Sequence, residues 1–307
     1  MKTRSKRHDL SEDPVIPAES ATIDLHTHTA RSDGLLEPGD LVAQAAAAGI
    51  RLLAITDHDT LAGVREVLAA GHLPAGLELL PGIELNAVVT DRPDLRESEL
   101  HILGLGIDPG DERLEGALAL QRQRRRSRFA LMVDRLRELG NPIDDALEAL
   151  PATGDDDALG RPRIARAMIA KGYAVSIEDA FARFLSIGRP GYVPRAGLGP
   201  RECIELTHSA GGIASLAHFS EAPLRLDILD ELIGYGLDGL EVYYRTFDGF
   251  TVAAMEEVAA DRGLLATGGS DYHGDVGSYA ESHAGLSVPA GVGERVRAAL
   301  ARQQETR

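Results

Sequence analysis

An α/β fold, a parallel sheet or barrel interrupted by a helical insertion, is what this sequence predicts. Three observations carry the expectation. Short apolar runs alternate with helical segments over residues 22–110 and again over 200–307. Between those stretches, residues 111–199 show no convincing strand. Six of the ten histidines lie at or near the ends of the expected strands, where the active-site face of a parallel barrel forms.

The elements follow in order. "TIDLHTHT" reads as a strand. "EPGDLVAQAAAAG" is a short helix, with Pro38 in its first turn and Gly49 as a stop. "RLLAITDHD" is a strand, and Thr60 to Ala70 a helix. "LELLPGIELNAVV" and "LHILGLGI" are strands with Val, Ile and Leu at buried positions. A long helix ("LEGALALQRQRRRSRFALMVDRLRELG") then opens the insertion. An acidic loop ("TGDDDALG") and helices around "RIARAMIAKG" and "SIEDAFARFLS" complete it. After Pro200 the alternation returns. "GGIASLAH", "GLEVYY" and "GLLATGGSDYH" are strands, each preceded by a helix. A last short strand, "AGLSV", and a helix close the chain. Residues 1–21, basic and then acidic with no apolar core for export, read as a disordered tail and not a signal peptide.

Composition narrows the function classes. At 307 residues the chain suits one α/β barrel or two smaller domains. It is 44% hydrophobic and 26% charged, a globular balance. A net charge of −16 argues against long duplex nucleic acid, which needs a basic face. Small anions stay open, because bound cations invert the local field. Cys203 is the single cysteine, so no intrachain disulfide forms and a reducing cytoplasm fits. No uncharged apolar run reaches the ~18 residues of a membrane span. The oligomeric state is not legible.

The chemistry sits at the strand ends. His26, His28, His58, His101, His218 and His273 are accompanied there by Asp33, Asp57, Glu84 and Asp271. Residues two apart share a side of a strand, so His26 and His28 aim together, and Asp271 and His273 repeat the device. Buried without cations, so many polar groups would each cost roughly 1–3 kcal/mol. A metal cluster removes that cost. The donors are nitrogen and oxygen with no thiolate, which favours Zn, Mn or Fe over soft metals. His8, His72, His208 and His283 read as core or surface residues. The chain has no G-x-S-x-G and no G-x-x-x-x-G-K-[ST], and "GLGIDPG" does not match the dinucleotide fingerprint.

"DLHTHTARSDG", "AITDHDT", "PGIEL", "LHILGLG", "SLAH" and "TGGSDYHG" resemble, in order and over residues 22 to about 290, the motifs of the polymerase and histidinol phosphatase (PHP) family. With its "GRP…IAR…KGY" stretch, the chain is similar to the stand-alone subfamily. That subfamily includes nucleoside 3',5'-bisphosphate and AMP phosphatases and relatives acting on RNA 5' ends. The resemblance implies a distorted (βα)7 barrel over 22–110 and 200–307, with 111–199 as a helical, substrate-facing insertion. It implies three divalent metal ions (Mn2+, Zn2+ or Fe2+). His26, His28, Glu84 and Asp271 would hold the first. Glu84, His101 and His218 would hold the second, with Glu84 bridging. Asp33, His58 and His273 would hold the third. Asp33, Glu84, His218 and Asp271 would be the catalytic members. Asp24 and Asp57 would orient ligands or fix imidazole tautomers; local strand-end hydrogen bonding is their other reading.

A phosphomonoester carries about two negative charges near neutral pH, which clustered cations would neutralise. The expected activity is therefore a metal-dependent phosphatase acting on a small nucleotide, AMP or a 3',5'-bisphosphate. A 5'-3' exoribonuclease on short RNA, a histidinol phosphate phosphatase and a non-catalytic module of the kind found in replicative polymerases are the alternatives. All nine ligand positions are filled, which favours catalysis. Arginine forks suit phosphate oxygens, and the insertion carries Arg122, Arg124, Arg125, Arg126, Arg128, Arg161, Arg163, Arg189 and Arg195. The cluster from Arg122 to Arg128 reads mostly as solvated helix surface. Arg161 and Arg163 are the expected phosphate-binding residues, and Tyr192 and Tyr243 could stack on a base or be core. The chain departs from the subfamily at Arg163 (often His), Phe219 (often Pro) and "YYRTF" (often "YYPxH"). These are substrate-facing loops, so the resemblance bears more on the ligands than on the substrate.

Overall fold

The computed structural model describes residues 22–89, 92, 95, 99–151, 154, 157–274 and 277–305. The N-terminal tail lies outside these, as does part of the acidic loop. In chain order, β1 is Ile23–Asp24, α1 Pro38–Ala47, β2 Leu52–Ile55, α2 Ala62–Ala70, β3 Glu78–Val88 and β4 Glu99–Leu105. The insertion follows with α3 (Glu112–Glu138), α4 (Asp144–Glu148), α5 (Arg161–Ala170), α6 (Ile177–Ala180) and a π-helical turn, Phe181–Leu185. The second half has α7 (Pro200–Ser209), β5 (Ile213–Leu216), a 3-10 turn (Ala222–Leu224), α8 (Leu226–Gly234), β6 (Gly239–Tyr244), α9 (Gly249–Arg262), β7 (Leu265–Gly269), α10 (Tyr279–His283) and α11 (Gly291–Glu305).

The seven strands form one sheet in sequence order. Beyond β1 and β7 the chain continues the pairing: Leu25 N–H donates to the Gly268 carbonyl, and Asp271 N–H to that of His26. The two edges therefore meet, and the sheet curls into a nearly closed barrel. Gly269 permits that closure. A Cβ there would lie 2.4 Å from His26 Cβ and 2.5 Å from its backbone nitrogen.

The expected all-parallel pairing is corrected at β4, which runs antiparallel to both β3 and β5. Only residues 89–98 separate β3 from β4. A parallel crossover needs a dozen or more residues, so the two strands form a hairpin. The reversal puts the start of β4, with His101, at the same mouth as the ends of the parallel strands. "AGLSV" is not a strand. Leu286 and Val288 are buried, but the edge they could pair with is already taken by the β1–β7 closure.

Both faces of the sheet are covered. On β3, Ile83, Leu85 and Ala87 alternate with Glu84 and Asn86, and all five are buried. The barrel core takes in Leu114 and Leu118 from the first part of α3. The later part of α3 instead joins a separate core, in which Met132, Val133 and Leu136 pack with Ile143, Ile164, Ala165, Met168 and Leu185. One helix thus begins in the barrel and ends in the insertion.

Candidate metal centre

Glu84 lies mid-strand, not at a strand end. β2 stops at Ile55, opposite Pro81, but the chain beyond it stays beside β3, and a parallel bridge sets His58 against Glu84. The carboxylate is fully buried and surrounded by imidazoles. Its Oε1 lies 2.7 Å from His101 Nδ1 and 3.2 Å from His218 Nε2. Its Oε2 lies 3.0 Å from His58 Nδ1, 3.1 Å from His28 Nε2 and 3.3 Å from His26 Nε2.

Around it the nine expected ligand residues fall into overlapping groups. In the first, His26 Nε2, His28 Nε2, Glu84 Oε2 and Asp271 Oδ1 have five measured separations between 3.0 and 3.3 Å. A tetrahedron with edges of about 3.2 Å has its centre about 2.0 Å from each corner, the length of a zinc–nitrogen or zinc–oxygen bond. In the second, His101 Nδ1 and His218 Nε2 are 3.2 Å apart on Glu84 Oε1, with His58 also within reach. In the third, Asp33 Oδ1 lies 3.2 Å from His273 Nε2, Asp33 Oδ2 3.8 Å from His58 Nε2, and His28 joins them. His28 Nδ1, Asp33 Oδ1, His58 Nδ1 and Glu84 Oε2 are buried without a well-formed hydrogen bond. Lone pairs converging on shared points, with several left unsatisfied, fit cations between them.

The field around the cluster shows in its ionisation. Burial opposes charge on Glu84, Asp33 and Asp271, yet the surrounding imidazoles hold all three carboxyls well below their usual range. Burial likewise opposes charge on His28, but Asp271 and Glu84 outweigh it and push the imidazole up to about 10. His58 goes the other way, down to about 4, chiefly through burial. Two of the expected ligands also carry backbone strain. His218 has φ +33° and Asp271 φ +49°, a region that non-glycine residues rarely adopt and that recurs at functional sites.

Asp24 and Asp57 do not contact imidazoles. Asp24 accepts from Ser270 N–H and Oγ, Tyr279 Oη and the backbone N–H of His26. Asp57 accepts from Thr29 N–H and Oγ1 and from Ser32 Oγ. They bind the strand-end backbone and hydroxyls, so neither fixes a tautomer, while Asp24 holds the backbone of His26. Glu241, which sequence reasoning missed, is the carboxylate on an imidazole: its Oε1 accepts from His26 Nδ1 at 3.0 Å. The signal was an acid inside a strand buried on both faces.

The expected substrate-facing residues separate. Arg161 lines a cavity of about 320 Å³ together with His101, His218, Leu95, Glu99 and Phe219. Arg163 instead donates to the Pro151 carbonyl within the insertion, because it lies two positions along α5 and so on another face. Tyr192 sits against Arg128. Tyr243 donates to Glu256 of α9, turned away from the mouth, whereas Tyr244 donates to Asp271 Oδ2 at 2.8 Å and its ring lies 5.7 Å from that of His218. The cause is a bulge in β6 between Glu241 and Tyr243, which breaks the alternation. Arg122 and Arg125 are buried, so the solvated reading of that cluster is corrected for them. Arg125 donates to Asp59 Oδ2 at 2.6 Å and to Asn86 Oδ1, and the Asn86 amide faces His101 Nε2 at 2.6 Å. Arg166 of α5 donates to the Asp33 carbonyl at 2.8 Å, which docks the insertion on the loop that carries Asp33. Of the remaining histidines, His72 is exposed, His208 pairs with Asp238 at 2.7 Å, and His283 stacks on Tyr279. His8 lies outside the described residues.

The chain is similar to proteins already known. The PHP domain family matches residues 24–177. The 5'-3' exoribonuclease Rnm of Escherichia coli is 34% identical over 276 residues, 88% of this chain and 90% of that protein. The 3',5'-nucleoside bisphosphate phosphatase of Chromobacterium violaceum is 31% identical, over 82% of this chain and 87% of that one. A crystal structure from Bifidobacterium adolescentis, solved as that of a metal-dependent phosphoesterase, superimposes with a TM-score of 0.77 at 33% identity, covering 90% of this chain and 95% of its own.

Proposed function

The chain belongs to the PHP domain family and is a metal-dependent phosphoesterase, and on that premise we propose that it removes a terminal phosphate from a small nucleotide carrying a second phosphate. The cavity is the observation that carries the reading. His101 and His218 of the cluster line it together with Arg161, and Leu95 and Phe219 add apolar lining. Its volume of about 320 Å³ falls at the small end of the range for ligand pockets.

Three cations would sit in the three groups around Glu84, and Mn, Zn or Fe suit the nitrogen and oxygen donors. Bound there, they would supply charge neutralisation and would acidify water enough to give a hydroxide near neutral pH. The chain's own residues do the rest. Tyr244 holds Asp271 by its second oxygen. Arg161 presents a guanidinium edge to the remote phosphate, in exchange with Glu99, which now lies 3.0 Å from it. Arg195 also pairs with Glu99, at 2.9 Å, and keeps that carboxylate neutralised when Arg161 turns to substrate.

A second reading is supported by the relatives: a 5'-3' exoribonuclease acting on short RNA. The net charge of −16 and the small cavity weigh against long polymers. One assay separates the readings. Nucleoside 3',5'-bisphosphates, AMP, histidinol phosphate and 5'-phosphorylated oligoribonucleotides are each incubated with Mn2+, Mg2+ or Zn2+, and both phosphate and mononucleotides are measured. The bisphosphate should show the highest kcat/KM with phosphate as product. Faster release of mononucleotides from RNA would make the second reading the correct one.

A further inference from the structure

We infer that Glu241 is the residue that makes two of the metal groups competent at once, by fixing the tautomer of His26 and the backbone position of His218. The inference rests on the metal-binding reading above. Glu241 is fully buried on β6, and its two oxygens have different tasks. Oε1 accepts from His26 Nδ1 at 3.0 Å, and Oε2 accepts the backbone N–H of His218 at 2.7 Å.

An ionised carboxylate can only accept. Facing it, His26 Nδ1 must carry a hydrogen, and the lone pair of the neutral ring is confined to Nε2. That atom is one corner of the four-donor group, 3.1 Å from His28 Nε2 and 3.3 Å from both Glu84 Oε2 and Asp271 Oδ1. The other oxygen acts on the second group. His218 holds φ at +33°, which a residue with a Cβ does not adopt without restraint. A hydrogen bond to its own N–H supplies one. His273 has a comparable restraint, its Nδ1 donating to the Asp271 carbonyl at 3.0 Å, but a main-chain acceptor cannot be lost by substitution. Glu241 is the side chain on which this arrangement depends.

Glutamine has the shape of glutamate but one acceptor and one donor at its tip. In Glu241→Gln the amide oxygen can serve His218 N–H or His26 Nδ1–H, not both. If it serves His218, the amide hydrogens face His26 Nδ1 and the ring proton moves to Nε2, into the metal group. If it serves His26, the strained amide of His218 faces a donor and the second group loosens. Either way one metal should bind about tenfold to hundredfold more weakly, the range for partners of metal ligands.

The test titrates Zn2+ into chelator-stripped wild-type protein, Glu241→Gln and Ser215→Ala. The last loses a buried hydrogen bond to Thr267, two strands away on β7, and has no hydrogen bond to any of the nine expected ligand residues. Long-range 1H–15N spectra of the histidine rings in the Zn2+-loaded proteins read the tautomers. Glu241→Gln should lose at least tenfold in affinity for one metal, and Ser215→Ala should lower Tm while keeping wild-type affinity. Wild-type affinity in Glu241→Gln, or equal losses in both variants, overturns the inference. Should Glu241→Gln not fold, the wild-type spectrum decides: a His26 ring without a proton on Nδ1 also overturns it. Wild-type protein that binds no Zn2+ would instead sink the metal-binding reading itself.

Discussion

Five imidazole nitrogens lie within 3.3 Å of the two oxygens of Glu84, and no other acid in the cluster is so placed. Glu84→Ala removes a donor from more than one group. Because partners one layer beyond metal ligands already cost tenfold to hundredfold, kcat should fall by at least about a hundredfold. His72→Ala, at an exposed position whose ring hydrogen-bonds the Ala70 carbonyl away from the cluster, should leave steady-state kinetics unchanged. Comparable losses in both variants would show that the two classes of histidine were wrongly divided. His28 gives a pH dependence. Its pKa in the metal-free fold is raised from 6.5 to about 10, so its proton stabilises that fold fully below pH 6.5 and the contribution is lost as pH rises through 10. A metal needs the lone pair which that proton occupies. Burial opposes charge on His26 too, but Glu241, Asp271 and Glu84 outweigh it and hold that imidazole well above its usual range. Between pH 7 and 9 loading of the first group should therefore release protons from both rings, with apparent affinity rising at least about tenfold per pH unit. Calorimetry in buffers of different ionisation heat reads the release, and a pH-independent affinity would exclude it. At this scale the i, i+2 spacing made His26 and His28 legible as a pair. It could not reveal Glu241, whose partner is 215 residues away.

The insertion is the element that separates this barrel from a bare metal site. Its α3 begins in the barrel core, its α5 holds the Asp33 loop through Arg166, and Arg161 reaches the cavity. Arg161→Ala should cost roughly 1.5–3 kcal/mol for a desolvated charge-assisted hydrogen bond. That is about tenfold to hundredfold in kcat/KM on a 3',5'-bisphosphate. The loss on p-nitrophenyl phosphate, which has no remote phosphate, should be smaller. Arg163→Ala should change neither, since that side chain binds the Pro151 carbonyl. Equal losses of Arg161→Ala on both substrates would assign the arginine to the scaffold. Helical periodicity located the insertion, but it could not tell buried from solvated arginines. Arg125 stands on α3 between Arg122 and Arg124 on one side and Arg126 and Arg128 on the other, and its partners, Asp59 and Asn86 among them, mark it as internal.

For the whole molecule, metal and fold are coupled. Cations that bind the native cluster and not the unfolded chain stabilise by about 2.7 kcal/mol at a hundred times Kd. At roughly 2–4 °C per kcal/mol for a domain of this size, chelation should lower Tm by about 5–10 °C for each occupied group, and Mn2+ or Zn2+ should restore it. Protein purified without chelator should carry more than one metal per chain by elemental analysis. A single metal, unchanged on reconstitution, would exclude three occupied groups. An unaltered Tm on chelation would show that the imidazole cluster is stable without cations.

The alternation of strand and helix, the break over 111–199 and the placing of the histidines near strand ends were legible in the sequence because each is a local pattern, whereas Glu84, expected at a strand end, lies inside β3. A run such as "IDLHTH" carries its own two-residue repeat wherever it folds. The antiparallel turn of β4, the bulge that brings Tyr244 rather than Tyr243 to Asp271, the burial of Arg125 and the second task of Glu241 were decided by the tertiary structure. Each depends on what lies opposite. β4 reverses because the segment before it is short, and the closure that excludes "AGLSV" from the sheet joins residues 25–28 to 268–272. Periodicity says which way a side chain points from its own backbone. Only the packed barrel says what meets it there, and a metal site is made by that meeting.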